Sequence, residues 1–92
     1  MKKILIIKHG SFGDVILSLH PVFAIKNHFK KSNITVLTES KYKEIFECLP
    51  FISNIKIDNR AGIFSIIKNI KLILWFKNQR FDWVFDLQTS KR

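Results

Sequence analysis

Two glycines, a serine and an aspartate fall within one short stretch, Gly10-Ser11-Phe12-Gly13-Asp14, and no other part of the chain gathers as much potential chemistry. A lone carboxylate in such a place can take a proton from a hydroxyl that is about to act as a nucleophile. The glycines let the backbone bend sharply and let a ligand come close, while the amides that open a following helix attract anions. The spacing is neither the Gly-x-Gly-x-x-Gly of dinucleotide folds nor a Walker loop, so neither assignment is made. Asp14 also has a purely structural reading, as the cap of the helix behind it, accepting amide hydrogen bonds from the first turn. On that reading the capping box is incomplete, because Leu17 stands where Glu or Gln would reciprocate. Residue type and spacing leave base and cap both open.

Other reactive residues are sparse. Cys48 is the one cysteine, which excludes an internal disulfide and a cysteine cluster for zinc and suits a reducing cytoplasm. Within Ile45-Phe46-Glu47-Cys48-Leu49 it reads as a small buried hydrophobe rather than a nucleophile. His9 borders the glycine turn and is a candidate ligand contact, whereas His20 and His28 read as ordinary helix positions. No two histidines or carboxylates have metal-ligand spacing, and neither metal nor cofactor is expected. The formal charge is +9, from 16 basic and 7 acidic residues. Residues 59–81 carry Arg60, Lys68, Lys71, Lys77 and Arg80 without a carboxylate. Such a segment suits phosphates, nucleic acid or an anionic membrane surface, or is simply the wet face of a helix. Aromatic residues fall at core spacing, with no helix-turn-helix or RNP-like pattern, so nucleic acid is not an expected partner.

The elements that must hold the glycine turn follow from hydrophobic periodicity. Lys3 to Lys8 is a continuous apolar run of the kind found in buried parallel strands. Asp14 to Phe29 has helical spacing through Val15, Leu19, Val22, Phe23, Ile25 and Phe29, with Pro21 a kink or break. Asn33 to Thr38 is a β-branched strand, and Lys41 to Cys48 is a short helix stopped by Pro50. Ser53 to Ile57 is a third strand, leading into the turn-like Asp58 to Gly62. A helix spans Ile63 to Lys77, with Ile63, Ile66, Ile67, Ile70, Ile73 and Leu74 as its apolar stripe, and Phe81 to Leu87 is a fourth strand. Strand and helix alternate, which predicts an α/β fold: a Rossmann-like, doubly wound parallel sheet. With 92 residues and 47% apolar content, one small domain is expected. The run is too short for a signal peptide, and no stretch approaches the length of a membrane span. Thr89 to Arg92 follow the last strand without the helix that would cover the sheet, so residues 1–92 are expected to be the front half of a domain or a truncated gene product.

Met1 to Pro21, MKKILIIKHGSFGDVILSLHP, resembles the opening of the ADP-heptose:lipopolysaccharide heptosyltransferases, glycosyltransferase family 9. The resemblance continues through Ile34-Thr35-Val36-Leu37-Thr38-Glu39 and returns at Phe81-Asp82-Trp83-Val84-Phe85-Asp86-Leu87-Gln88, similar to the family's Tyr-Asp-hydrophobic-hydrophobic-hydrophobic-Asp-Leu-Gln segment. It implies the N-terminal, acceptor-side domain of a GT-B fold and an inverting, metal-independent transfer of heptose from ADP-heptose to a lipopolysaccharide inner-core acceptor. Asp14 would be the catalytic base, with Ser11 and Gly13 shaping the acceptor pocket. Arg60 lies where family members engage acidic groups of the acceptor. Asp86 and Gln88 read equally as acceptor-binding residues and as strand-end cap and turn former. The acceptor would be a lipid-linked acidic sugar at the cytoplasmic membrane face, where the helix with Lys68 and Lys71 beside Trp75 and Phe76 could rest on an anionic bilayer. The donor site would lie in a C-terminal domain that this chain lacks, leaving the chain inactive alone. Three alternatives remain: a related transferase with another sugar, a non-catalytic phosphate-binding α/β module, and a basic membrane-associated fragment.

Overall fold

A computed structural model describes residues 2–58 and 65–87, with the backbone alone for 65–69. The strands are β1 (Lys2–Ile7), β2 (Ser32–Thr38), β3 (Ile52–Ile57) and β4 (Trp83–Asp86). The helices are α1 (Phe12–His28), α2 (Lys43–Glu47) and α3 (Ser65–Gln79), and a 3₁₀ turn at Ser40–Tyr42 leads into α2. The predicted alternation is present throughout. Expectations for the turn through Gly62 and for Ile63 fall on residues outside this description beyond Asp58.

All pairings are parallel, in the order β3-β2-β1-β4. β1 is interior, with Ile7 beside Leu37 of β2 on one side and beside Asp86 of β4 on the other. This explains its unbroken apolar run, since an interior strand covered on both faces has no wet side. The doubly wound α/β architecture is therefore the fold of this chain.

The two faces differ in quality. On one, Val15, Val22 and Ile25 of α1 close over Ile4, Ile6, Ile34 and Val36, with Tyr42 and Phe46 completing the core. On the other, α3 lies over Leu5, Ile7 and Leu37 and leaves an apolar cavity of about 180 Å³ bordered by Leu72, Trp75 and Phe76. The expected α3 stripe is corrected here. Ile70, Ile73 and Leu74 are each more than half exposed, whereas Leu72 and Trp75 are half-buried. The side chains of Ile66 and Ile67 are outside the description. Because α3 is apolar nearly all round, spacing could not orient it. Its rotation is marked by Trp75 and Phe76 packing on Phe81, with ring centroids 5.7 and 5.8 Å away, and by Lys56 over the Trp75 ring at 5.3 Å.

Two further expectations are corrected. Cys48 is exposed, because α2 ends at Glu47 and Phe46 takes the core-facing position two residues earlier. Of the two readings of Pro21, kink or break, the break is excluded, because α1 runs through it to His28. Proline strips the hydrogen bond from the carbonyl four residues before it. Here that residue is Leu17, on the solvent side of the helix, where water can serve the carbonyl.

Candidate ligand site at the carboxyl edge of the sheet

The crevice of a doubly wound sheet opens where crossovers from neighbouring strands leave on opposite faces. In this chain the chain leaves β1 for α1 on one face, and α3 reaches β4 across the other, so the opening lies at the carboxyl ends of β1 and β4. The Gly10–Asp14 turn leaves β1 there, and Asp86 ends β4 beside Ile7.

Buried contacts fix the turn from below. Gly10 lies so close to Tyr42 that a Cβ on it would meet Cε2 of that ring at 2.8 Å. The backbone thus needs glycine for this approach. His9, almost wholly buried, reaches across the end of β2, and its Nε2 lies 3.0 Å from Oδ2 of Asp58 at the end of β3. Asp58 is further held by its own N–H, which donates to the Thr38 carbonyl at 2.9 Å. Strand ends far apart in sequence are thereby clamped around the turn.

The upper surface of the turn is open. Helix α1 starts at Phe12, so Ser11 occupies its N-cap position and Asp14 the third helical position. Serine is as good a cap as aspartate, and Ser-x-x-Asp ahead of an apolar run marks a helix start. That signal was legible, and it puts Ser11 rather than Asp14 at the N-cap. The Ser11 hydroxyl does not bond to the helix amides; it points to Asp14 and donates to its Oδ2 at 3.4 Å. The Asp14 carboxylate is exposed to solvent, and nothing lies within 4 Å of where a Cβ on Gly13 would stand. Ser11, Gly13 and Asp14 thus share one accessible surface, a hydroxyl and a carboxylate beside open backbone.

Of the other expected site residues, Asp86 lies on the neighbouring strand end, and Arg60 and Gln88 fall outside the described residues. His20 and His28 are exposed on α1. Among the described residues, no group of three or more histidines, cysteines or carboxylates could hold a metal ion, and no helix is long and apolar enough to cross a membrane. Sequence reasoning missed the partnership of His9 with Asp58, the Tyr42 ring under Gly10, and the buried polar residues Lys8 and Thr38 at the same edge.

Fold and opening together define a Rossmann-like α/β unit with a switch-point crevice. No family model matches the sequence, and no curated protein is significantly similar to it. Among solved structures, the chain is similar to the crystal structure of the glycosyl transferase family 9 from Veillonella parvula DSM 2008, with a TM-score of 0.80 and 22% identity. The match covers 97% of this chain and 26% of that one, so this chain spans about a quarter of the structure it resembles. At this identity the likeness establishes the shared fold.

Proposed function

We propose that this chain is the acceptor-side part of a family 9 glycosyltransferase that moves heptose from ADP-heptose to an acidic, lipid-linked inner-core sugar at the cytoplasmic membrane face. Asp14 takes the proton from the acceptor hydroxyl as that oxygen attacks the anomeric carbon. The bond from that carbon to the diphosphate breaks on the opposite face, ADP departs with the electron pair, and the configuration inverts. Ser11 steadies the carboxylate, and Gly13 leaves room for the acceptor ring. In this assignment a second domain supplies the donor site, with ADP-heptose as substrate and no cofactor taking part.

One observation carries the reading. The Asp14 carboxylate stands exposed at the crevice with the N-cap position already filled by Ser11. The fold shared with a family 9 structure and the motifs around residues 1–21 and 81–88 support the sugar chemistry. The test is transfer from ADP-heptose to a deacylated inner-core acceptor. The 92-residue chain alone should give none, and a protein carrying it with a donor-binding domain should lose turnover on Asp14→Asn. Transfer by the chain alone, or full turnover by the variant, refutes the assignment.

The surface of α3 supports an accompanying role at an anionic bilayer. Ile70, Ile73 and Leu74 are exposed on the same helix as the exposed Lys71 and Lys77. Such a helix binds anionic lipid through apolar area and positive charge together. Sedimentation with anionic liposomes that is unchanged by Lys71→Glu with Lys77→Glu removes this role.

A further inference from the structure

The apolar cavity of about 180 Å³ lies under α3, on the face of the sheet opposite α1, and the transfer chemistry uses none of it. Leu5, Ile7 and Leu37 floor it, and Leu72, Trp75 and Phe76 roof it. Ile73 also lines it and is 55% exposed, so the space opens to solvent past that residue. An apolar cavity of about 150 Å³ stays dry and takes up benzene, so this one has room for about six carbon atoms. Across the carboxyl end of the sheet, Lys56, Leu37, Ile7 and Asp86 pair in one row, and strand alternation puts all four side chains on the α3 face. Lys56 is half-buried, with Nζ 5.3 Å from the centroid of the Trp75 ring that roofs the cavity. No carboxylate among the described residues pairs with it. The exposed Lys71 precedes Trp75 by one helical turn and brings a second ammonium to that side. Asp86 ends the row on β4, about 14 Å from Lys56 at strand spacing. The space is thus apolar within and cationic at one rim.

We propose that this cavity binds the tail of a free aliphatic carboxylic acid, with the carboxylate held at the rim by Lys56 and Lys71. Burying the tail takes apolar area of both ligand and wall out of water, and that supplies most of the affinity. The ammonium groups add a surface ion pair, which fixes direction more than strength. Asp86, at the other end of the row, repels the acid and leaves Lys56 as its place. The volume selects the ligand: room for about six carbons suits a medium-chain acid and falls short of the acyl chain of a phospholipid. The site stands whether or not Asp14 serves a transferase.

The test follows the amide NMR signals of Ile7, Leu37 and Leu72 and the indole signal of Trp75 in the full chain. Butyrate, hexanoate, octanoate and decanoate are titrated in turn, each below its micelle concentration. Affinity should rise about fourfold per added carbon and level off near octanoate, once the cavity is full. Lys56→Met should weaken octanoate about fivefold and leave the binding of 1-octanol unchanged. Leu72→Trp, which fills the space, should weaken both about tenfold or more without lowering the unfolding midpoint. Should Leu72→Trp lower that midpoint, the length series and Lys56→Met decide by themselves. No shift with any acid, or an affinity that climbs as steeply from octanoate to decanoate as before, overturns the cavity as the site. Equal effects of Lys56→Met on octanoate and octanol overturn the place given to the carboxylate. Displacement of octanoate by vesicles of phosphatidylglycerol assigns the cavity to lipid acyl chains and overturns the free acid.

Discussion

Gly10 and Gly13 lie three positions apart, yet substitution by alanine should act on them in opposite directions. At Gly10 the new methyl would lie 2.8 Å from Cε2, 3.1 Å from the hydroxyl oxygen and 3.3 Å from Cζ of Tyr42. Carbon atoms pack at about 3.5–4.0 Å, so the ring must move by roughly an ångström. Tyr42 cannot swing freely, being 7% exposed and packed in the core that holds Phe46. Overpacking of this kind costs about 1–3 kcal/mol. The loss of unfolded-state freedom returns about 0.4–1 kcal/mol, leaving Gly10→Ala about 1–2 kcal/mol less stable. At Gly13 nothing stands within 4 Å, so Gly13→Ala keeps the gain without the clash. Urea unfolding followed by circular dichroism should therefore separate the variants by about 2 kcal/mol, which is roughly 8–16 °C in melting temperature for a domain this small. A Tyr42→Leu background should relieve most of the Gly10→Ala penalty, since residues in contact couple by about 0.5–3 kcal/mol. Gly10→Ala as stable as the parent, or Gly13→Ala destabilised by more than about 1 kcal/mol, refutes this account of the turn.

Phe46→Ala should cost about 3–5 kcal/mol, because a fully buried ring leaves a cavity between α2 and the sheet, and a urea midpoint measures it. His9→Leu should cost about 1.5–3 kcal/mol in the same assay by stranding the Asp58 carboxylate that lies 3.0 Å from Nε2. Asp14→Asn should move stability by no more than about 1 kcal/mol, since an exposed charge near a helix start contributes little more than that; a larger loss by calorimetry would return Asp14 to a structural role. Cys48 should react with a maleimide in the folded protein almost as fast as in urea, and native protection measured by mass spectrometry would contradict its exposure.

The alternation of elements was legible because each strand and helix announces itself locally. Ile4 to Ile7 is apolar on both sides and sits in the interior of the sheet, as such a run requires. The glycine turn was legible for the same reason, falling between two strongly patterned segments. What escaped notice was non-local or depended on rotation. His9 and Asp58 are 49 residues apart and meet only because β1 and β3 end at the same level. Lys8 interrupts an apolar run, and only the β1–β2 register puts it opposite Thr38. Cys48 was misread because hydrophobic neighbours in sequence say nothing about which way a five-residue helix faces. The N-cap of α1 lies three residues earlier than the capping reading of Asp14 placed it, at Ser11, and that small shift decides whether the carboxylate is tied to the helix or left accessible.

β1 is flanked on both sides, whereas β3 and β4 each have one neighbour among the described strands. Opening at either margin of the sheet therefore leaves β1 held by the remaining partner. The peptide that carries Asp14 emerges from that doubly anchored strand, and the amides of β1 should be among the last to exchange hydrogen with solvent. A side chain mounted this way keeps its bearings while the periphery breathes.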